Sequence, residues 1–169
     1  KFLFTTTPLA YFSSSIWRDE AFSYLMAKKP IWDMLWSTAQ DANPPLYYLL
    51  LKIWMLIFGH SEVALRALSL IFFWATIYTS FLILYEVFKI KGKRVVLYLS
   101  LFVLNPLLHY YAFEARMYSL MAFLATLSFY FLFKKKYTAY AFTALLALYT
   151  HYFLILVIAS QILVTLFFL

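Results

Sequence analysis

Residues 17–23 read WRDEAFS, an acidic pair set after Arg18 and between two aromatic residues. The chain of 169 residues holds seven Asp and Glu in all, so two of them side by side ask for a reason. One reason is local. Asp19 can cap a following helix by accepting backbone N–H groups, with Glu20 favourable beside the helix dipole. The other is chemical. A carboxylate held against aromatic and apolar walls has a raised pKa and can take a proton from an incoming hydroxyl or amine. The two readings are compatible. Further along, Asp41 opens the turn DANPP and can face the same pocket as Asp19. Glu62 and Arg66 are spaced i, i+4, which predicts an ion pair on one helix face; the alternative is that the planar fork of Arg66 reaches a phosphate. The stretch HYYAFEARMYSL at 109–120 carries Glu114 and Arg116. Glu114 and Tyr118 share a helical face and Arg116 falls nearly opposite, so Glu114 and Arg116 can serve one site only if the helix breaks or bends between them.

Other chemistries are disfavoured by residue type. His60, His109 and His151 are scattered, there is no cysteine, and no H-E-x-x-H spacing occurs, so no metal set is predicted. A Gly-rich phosphate loop and a D-x-D pair are also missing, and a nucleotide cofactor is not expected. The net charge of +7 is not laid out as a nucleic-acid footprint. Half of the basic residues fall in two short clusters, Lys89, Lys91, Lys93 and Arg94, then Lys134, Lys135 and Lys136.

The elements that must position these residues are helical and apolar. Hydrophobic residues make up 66% of the chain, aromatic residues 23% and charged residues 12%, the composition of a multi-span helical membrane protein. Charge-free runs at 67–85, 95–113 and 117–133 are each read as a span, and the uncharged tail 137–169 as two, split near Thr150-His151. The stretch KFLFTTTPLAYF at the start is read as the outer end of a first membrane helix, and the chain as part of a longer protein. With both basic clusters on the cytoplasmic side, the segment up to Arg66, the Glu114–Arg116 turn and the Thr150-His151 break all fall on the outer side. That topology requires 46–58, LYYLLLKIWMLIF, to enter and leave on the outer side as a juxtamembrane or re-entrant helix. The polar segment before it predicts two short amphipathic helices at the interface, with Trp17, Trp32 and Trp36 at headgroup level. The expected architecture is therefore all-α: a polytopic transmembrane helical bundle forming one domain over 1–169. Residues 13–60 make an extracytoplasmic loop of juxtamembrane helices, and 61–169 about five transmembrane helices.

Four stretches in this order, RDEAFSYLMA at 18–27, DANPPLYYLLLKIWMLIFGHSEVALRALSLIF at 41–72, NPLLHYYAFEARMYSL at 105–120 and YTHYF at 149–153, carry a resemblance. The chain resembles the polytopic glycosyltransferases of the C superfold, nearest to the dolichyl-phosphate-mannose–protein mannosyltransferases and their bacterial relatives, which include the aminoarabinose transferases of lipid A. The resemblance implies a membrane enzyme that moves a sugar from a polyprenyl-phosphate donor to a protein or glycolipid acceptor on the extracytoplasmic side, in a bacterial inner membrane. It implies Asp19 as catalytic base or acceptor-orienting group, Glu114 as the second acidic position, and Arg116 near the lipid phosphate. Glu20, Asp41, Arg66, Tyr118 and His151 complete the candidate substrate-binding set. No nucleic-acid partner and no cofactor are implied, and the need for a divalent metal is left open. A transporter or lipid translocase is the main alternative. Such proteins place ionisable groups inside their spans, however, whereas here the acidic groups collect at one surface. A non-catalytic membrane scaffold is a third reading.

Overall fold

The computed structural model describes residues 12, 14–41 and 43–168; the expected end of a first membrane helix over 1–11 lies outside them. The described residues form helices and no strand: α1 (Arg18–Lys28), α2 (Ile31–Ala39), α3 (Leu46–Phe58), α4 (Glu62–Leu82), α5 (Lys93–Val103), α6 (Pro106–Ala112), α7 (Tyr118–Phe133), α8 (Tyr137–Leu148) and α9 (Leu154–Phe168). A π turn, Ile83–Val87, continues α4. The two short helices predicted before the Pro-Pro turn are α1 and α2. Pro45 precedes the first turn of α3, Gly59 ends it at φ 84°, and Ser61 caps α4 by accepting the Ala64 N–H at 3.2 Å. The split of the uncharged tail is also present. α8 stops at Leu148, and α9 begins at Leu154.

The single span expected over 95–113 is not one straight helix. α5 and α6 are bent by 65° at Leu104–Asn105. Pro106 has no N–H to continue the ladder, and the Asn105 side chain accepts from the Leu107 and Leu108 N–H groups at 3.0 and 3.1 Å, which starts a new helix. Among the described residues one helix, Glu62–Val87, is long and apolar enough to cross a membrane, or two if the bent pair counts as one span. The 16 residues of α7 reach about 24 Å, short of a hydrocarbon core of about 30 Å.

α4 packs along α7, and α8 lies on the other side of α7. The buried face of α4 alternates Leu65, Leu68 and Phe73 with small polar residues, Ser69, Thr76 and Ser80, while Ile71, Trp74 and Tyr78 on its outer face are 49–63% exposed. Thr76 and Thr79 return their hydroxyls to backbone carbonyls one turn back, at 2.8 Å each, so they are buried without loss. The main core gathers Met26, Met34, Tyr47, Tyr48, Leu51, Leu65, Met117 and Leu120 from α1, α2, α3, α4 and the start of α7. It therefore lies directly under the ends that carry the acidic residues.

Candidate functional site

The site is built on four chain segments that meet: the N-terminus of α1, the loop 40–45, the turn 113–117 between α6 and α7, and the break 149–153. The Leu46 N–H donates to the Tyr149 carbonyl at 3.1 Å and ties the second to the fourth. The turn forms because α6 stops at Ala112 and the Arg116 N–H folds back onto the Glu114 carbonyl at 2.8 Å. Ser119 Oγ donates to the Tyr111 carbonyl across it, and Ser69 Oγ on α4 donates to the Arg116 carbonyl. This is the break that the opposed helical faces of Glu114 and Arg116 require.

Glu20 is the structural member of the acidic pair. It is 1% exposed and pairs with Arg66, not with solvent. Arg66 Nε donates to Oε1 at 2.8 Å and Nη2 to Oε2 at 2.6 Å; the Ala115 N–H reaches Oε1 at 2.9 Å and the Trp17 N–H reaches Oε2 at 3.4 Å. The remaining Arg66 donors go to the carbonyls of Phe12, Ser14 and Ser15. The ion pair expected between Glu62 and Arg66 is thus corrected: Glu62 is exposed, and Arg66 turns inward to a carboxylate 46 residues earlier. Every N–H of Arg66 and both oxygens of Glu20 are engaged within the protein, so this pair frames the site instead of meeting a substrate phosphate. The cap expected of Asp19 is likewise supplied by Glu20, through the Trp17 N–H.

Asp19, one residue away, has a different environment. Its side chain is 43% exposed and lies 3.7 Å from Arg116 Nη2, while Nη1 of the same guanidinium donates to the Asp19 carbonyl at 3.3 Å. Arg116 is buried, stands over the Tyr118 ring at 5.6 Å, and its Nε has no hydrogen-bond partner. Asp19 and Arg116 share an open cavity of about 460 Å³ with Arg18 and the apolar walls Ala21, Phe22 and Leu25. Tyr118 stacks loosely on Tyr111 at 4.3 Å and faces His151 at 6.3 Å. Burial and the Arg116 charge push His151 down, which keeps its imidazole neutral at pH 7. His151, expected at the outer surface, is half-buried. Asp41 accepts from Asn43 Nδ2 at 3.4 Å. Asp41 and Arg116 both act electrostatically on the Tyr48 hydroxyl, which is buried without a hydrogen-bond partner. Tyr48 is fully buried in the main core and does not line the Asp19–Arg116 cavity, whose walls Phe22 and Leu25 are the site residues that sequence reasoning missed.

Glu114, which the resemblance implies as the second acidic position, does not line the cavity that Asp19 and Arg116 share. It lines a separate cavity of about 220 Å³ with Glu20, Arg66, Trp17 and Tyr110, on the other side of the Glu20–Arg66 pair. Glu114 is 4% exposed, and its Oε2 has no hydrogen-bond partner. Burial pushes its carboxyl up to about 7; Arg116 pulls it down, and Glu20 and Asp19 push it further up. Among the described residues no group of His, Asp and Glu side chains is set to hold a metal ion. Comparison of the chain with protein-family models, with curated proteins and with solved structures gives no match.

Proposed function

We propose that this chain belongs to a membrane glycosyltransferase that moves a sugar from a polyprenyl-phosphate donor to an acceptor on the extracytoplasmic side. The observation that carries the reading is the half-exposed Asp19 carboxylate beside a buried guanidinium at the mouth of an apolar-walled cavity. A prenyl phosphate asks for that combination of apolar wall, cation and water access. Asp19 takes the proton of the acceptor hydroxyl or amine. The acceptor atom bonds to the anomeric carbon as the bond from that carbon to the phosphate oxygen breaks, and the lipid phosphate leaves with the electron pair. Arg116 offsets the charge gathering on the phosphate, with Tyr118 beneath it and neutral His151 beside it. The exposed Ile71, Trp74 and Tyr78 on the outer face of α4, with small polar Ser69, Thr76 and Ser80 among the apolar residues of its buried face, support a bilayer as its surroundings.

Asp19→Asn tests the reading. The amide keeps the shape and leaves the Glu20 frame untouched, so the fold survives, but it is no base at neutral pH. Transfer from a polyprenyl-phosphate sugar to acceptor in liposomes, measured on the full-length protein, falls about 100-fold or more. Full activity with a matched melting temperature overturns the assignment of Asp19.

A further inference from the structure

A third cavity lies well away from the acidic cluster, at the opposite end of α4. The π turn Ile83–Val87 widens the helix there: the Phe88 N–H reaches the Ile83 carbonyl at 3.1 Å and the Ile90 N–H reaches the Leu84 carbonyl at 2.9 Å. Beside it, between α4, α5, α7 and α9, is a cavity of about 460 Å³ with almost wholly apolar walls, including Leu84, Phe102, Ala125 and Phe129. That volume is in the range of ligand pockets. Its rim is formed by Phe88 and Phe133, whose rings meet edge to face at 5.9 Å.

Each rim aromatic is followed directly by a basic turn. Lys89, Lys91, Lys93 and Arg94 follow Phe88, and Lys134, Lys135 and Lys136 follow Phe133, all of them exposed. The one carboxylate nearby, Glu86, is occupied by Lys134 at 3.0 Å and the Tyr130 hydroxyl at 2.9 Å. Lys89 and Lys135 sit at φ 56° and 55°, the left-handed region where a helix end normally uses glycine. At Lys135 the end is a Schellman turn, with the Lys136 N–H on the Phe131 carbonyl and the Lys135 N–H on the Leu132 carbonyl, each 2.9 Å. A side chain kept at these strained positions points to a use for the charge.

We propose that this cavity holds an acyl chain of an anionic membrane phospholipid, with its phosphate among Lys89, Lys135 and their basic neighbours. The occupant follows from charge complementarity: an almost wholly apolar cavity has at its rim two aromatics that lead into seven basic residues, of which Lys134 alone is paired with the one nearby acid, Glu86. The proposal rests on the bilayer reading above but not on sugar transfer. It makes the basic end of the molecule a lipid-binding site in addition to a topological signal.

The full-length protein, reconstituted into vesicles of equal parts phosphatidylglycerol and phosphatidylcholine with matched chains, is re-extracted, washed and assayed for retained lipid by mass spectrometry. Phosphatidylglycerol is expected to be enriched about ten-fold over phosphatidylcholine. The exposed double variant Lys89→Gln/Lys135→Gln brings retention close to the vesicle ratio, and Ala125→Trp, which fills the cavity, lowers retention of both lipids. Equal retention of the two lipids by the unaltered protein overturns the proposal, as does unchanged enrichment in the lysine double variant. Alkaline carbonate washing of the same vesicles separates the two failures. Protein that stays in the membrane without lipid preference sinks this inference alone, whereas protein released into the wash sinks the bilayer reading and this inference with it.

Discussion

Glu20 and Asp19 are adjacent in sequence and opposite in role. Glu20→Gln replaces one acceptor oxygen by an NH2 group facing Arg66 Nη2 and leaves a buried guanidinium unneutralised. We expect it to cost about 3–5 kcal/mol of stability, read as a large drop in melting temperature, whereas Asp19→Asn leaves melting nearly unchanged. From residue types alone Glu20 looks the milder position, because a carboxylate in a first helical turn is ordinarily a dipole partner and the sequence does not show that Arg66 arrives from 46 residues away. Glu114 gives a pH signature. The folded protein keeps its proton up to about pH 7, while the unfolded chain with an ordinary carboxyl releases it near 4.5. The unfolded state thus binds fewer protons over that window, so this group's contribution to stability falls as pH rises from about 4.5 to about 7 and is level above. Glu114→Gln removes that slope. Melting curves of the two proteins in detergent converge at and below about pH 4.5, and at pH 8 the variant melts higher; a parallel pair of curves refutes the assignment.

At the scale of elements, punctuation was the legible part of the sequence. Pro-Pro, Gly59 and Ser61 bracket α3 and start α4 where the residue chemistry says they should, and the length of the uncharged tail correctly demanded a break near Thr150-His151. The bend at Asn105-Pro106 was overlooked because counting apolar residues treats a run as continuous, although Asn before Pro is itself a cap followed by a first turn. Asn105→Ala removes both capping bonds and is expected to cost about 1 kcal/mol, measured by thermal unfolding. α3 carries the sharpest topological claim. If it returns to its own side of the membrane, Gln40 and His60, both exposed, lie on one face. The chain has no cysteine of its own, so single Gln40→Cys and His60→Cys variants report without background. Both are expected to react with an impermeant thiol reagent from outside, and labelling of only one refutes the arrangement.

For the molecule as a whole, composition pointed to a multi-span all-α chain; the described residues are all-α, with one helix long and apolar enough to cross a membrane, or two if the bent pair counts as one span. The grouping of Asp19, Arg116, Tyr118 and His151 was legible only as a side of the membrane, not as a set of contacts. Asp19 and His151 are 132 positions apart (151 − 19), and no local pattern encodes which ends meet. The exclusion of Glu114 from that group was illegible for the same reason: which side of a turn a carboxylate faces depends on the Glu20–Arg66 pair beneath it. That pair also sets a timetable. Arg66 can meet Glu20 only after 46 further residues have been made, and Glu20 receives its Ala115 donor only after 95. At about 5–20 residues per second of synthesis the second interval lasts on the order of 5–20 seconds. For the part of that interval after Arg66 is made, Glu20 holds its two Arg66 donors but lacks the Ala115 donor, so the segment up to α4 is the one that gains most from a chaperone or an insertase until the 113–117 turn has been made.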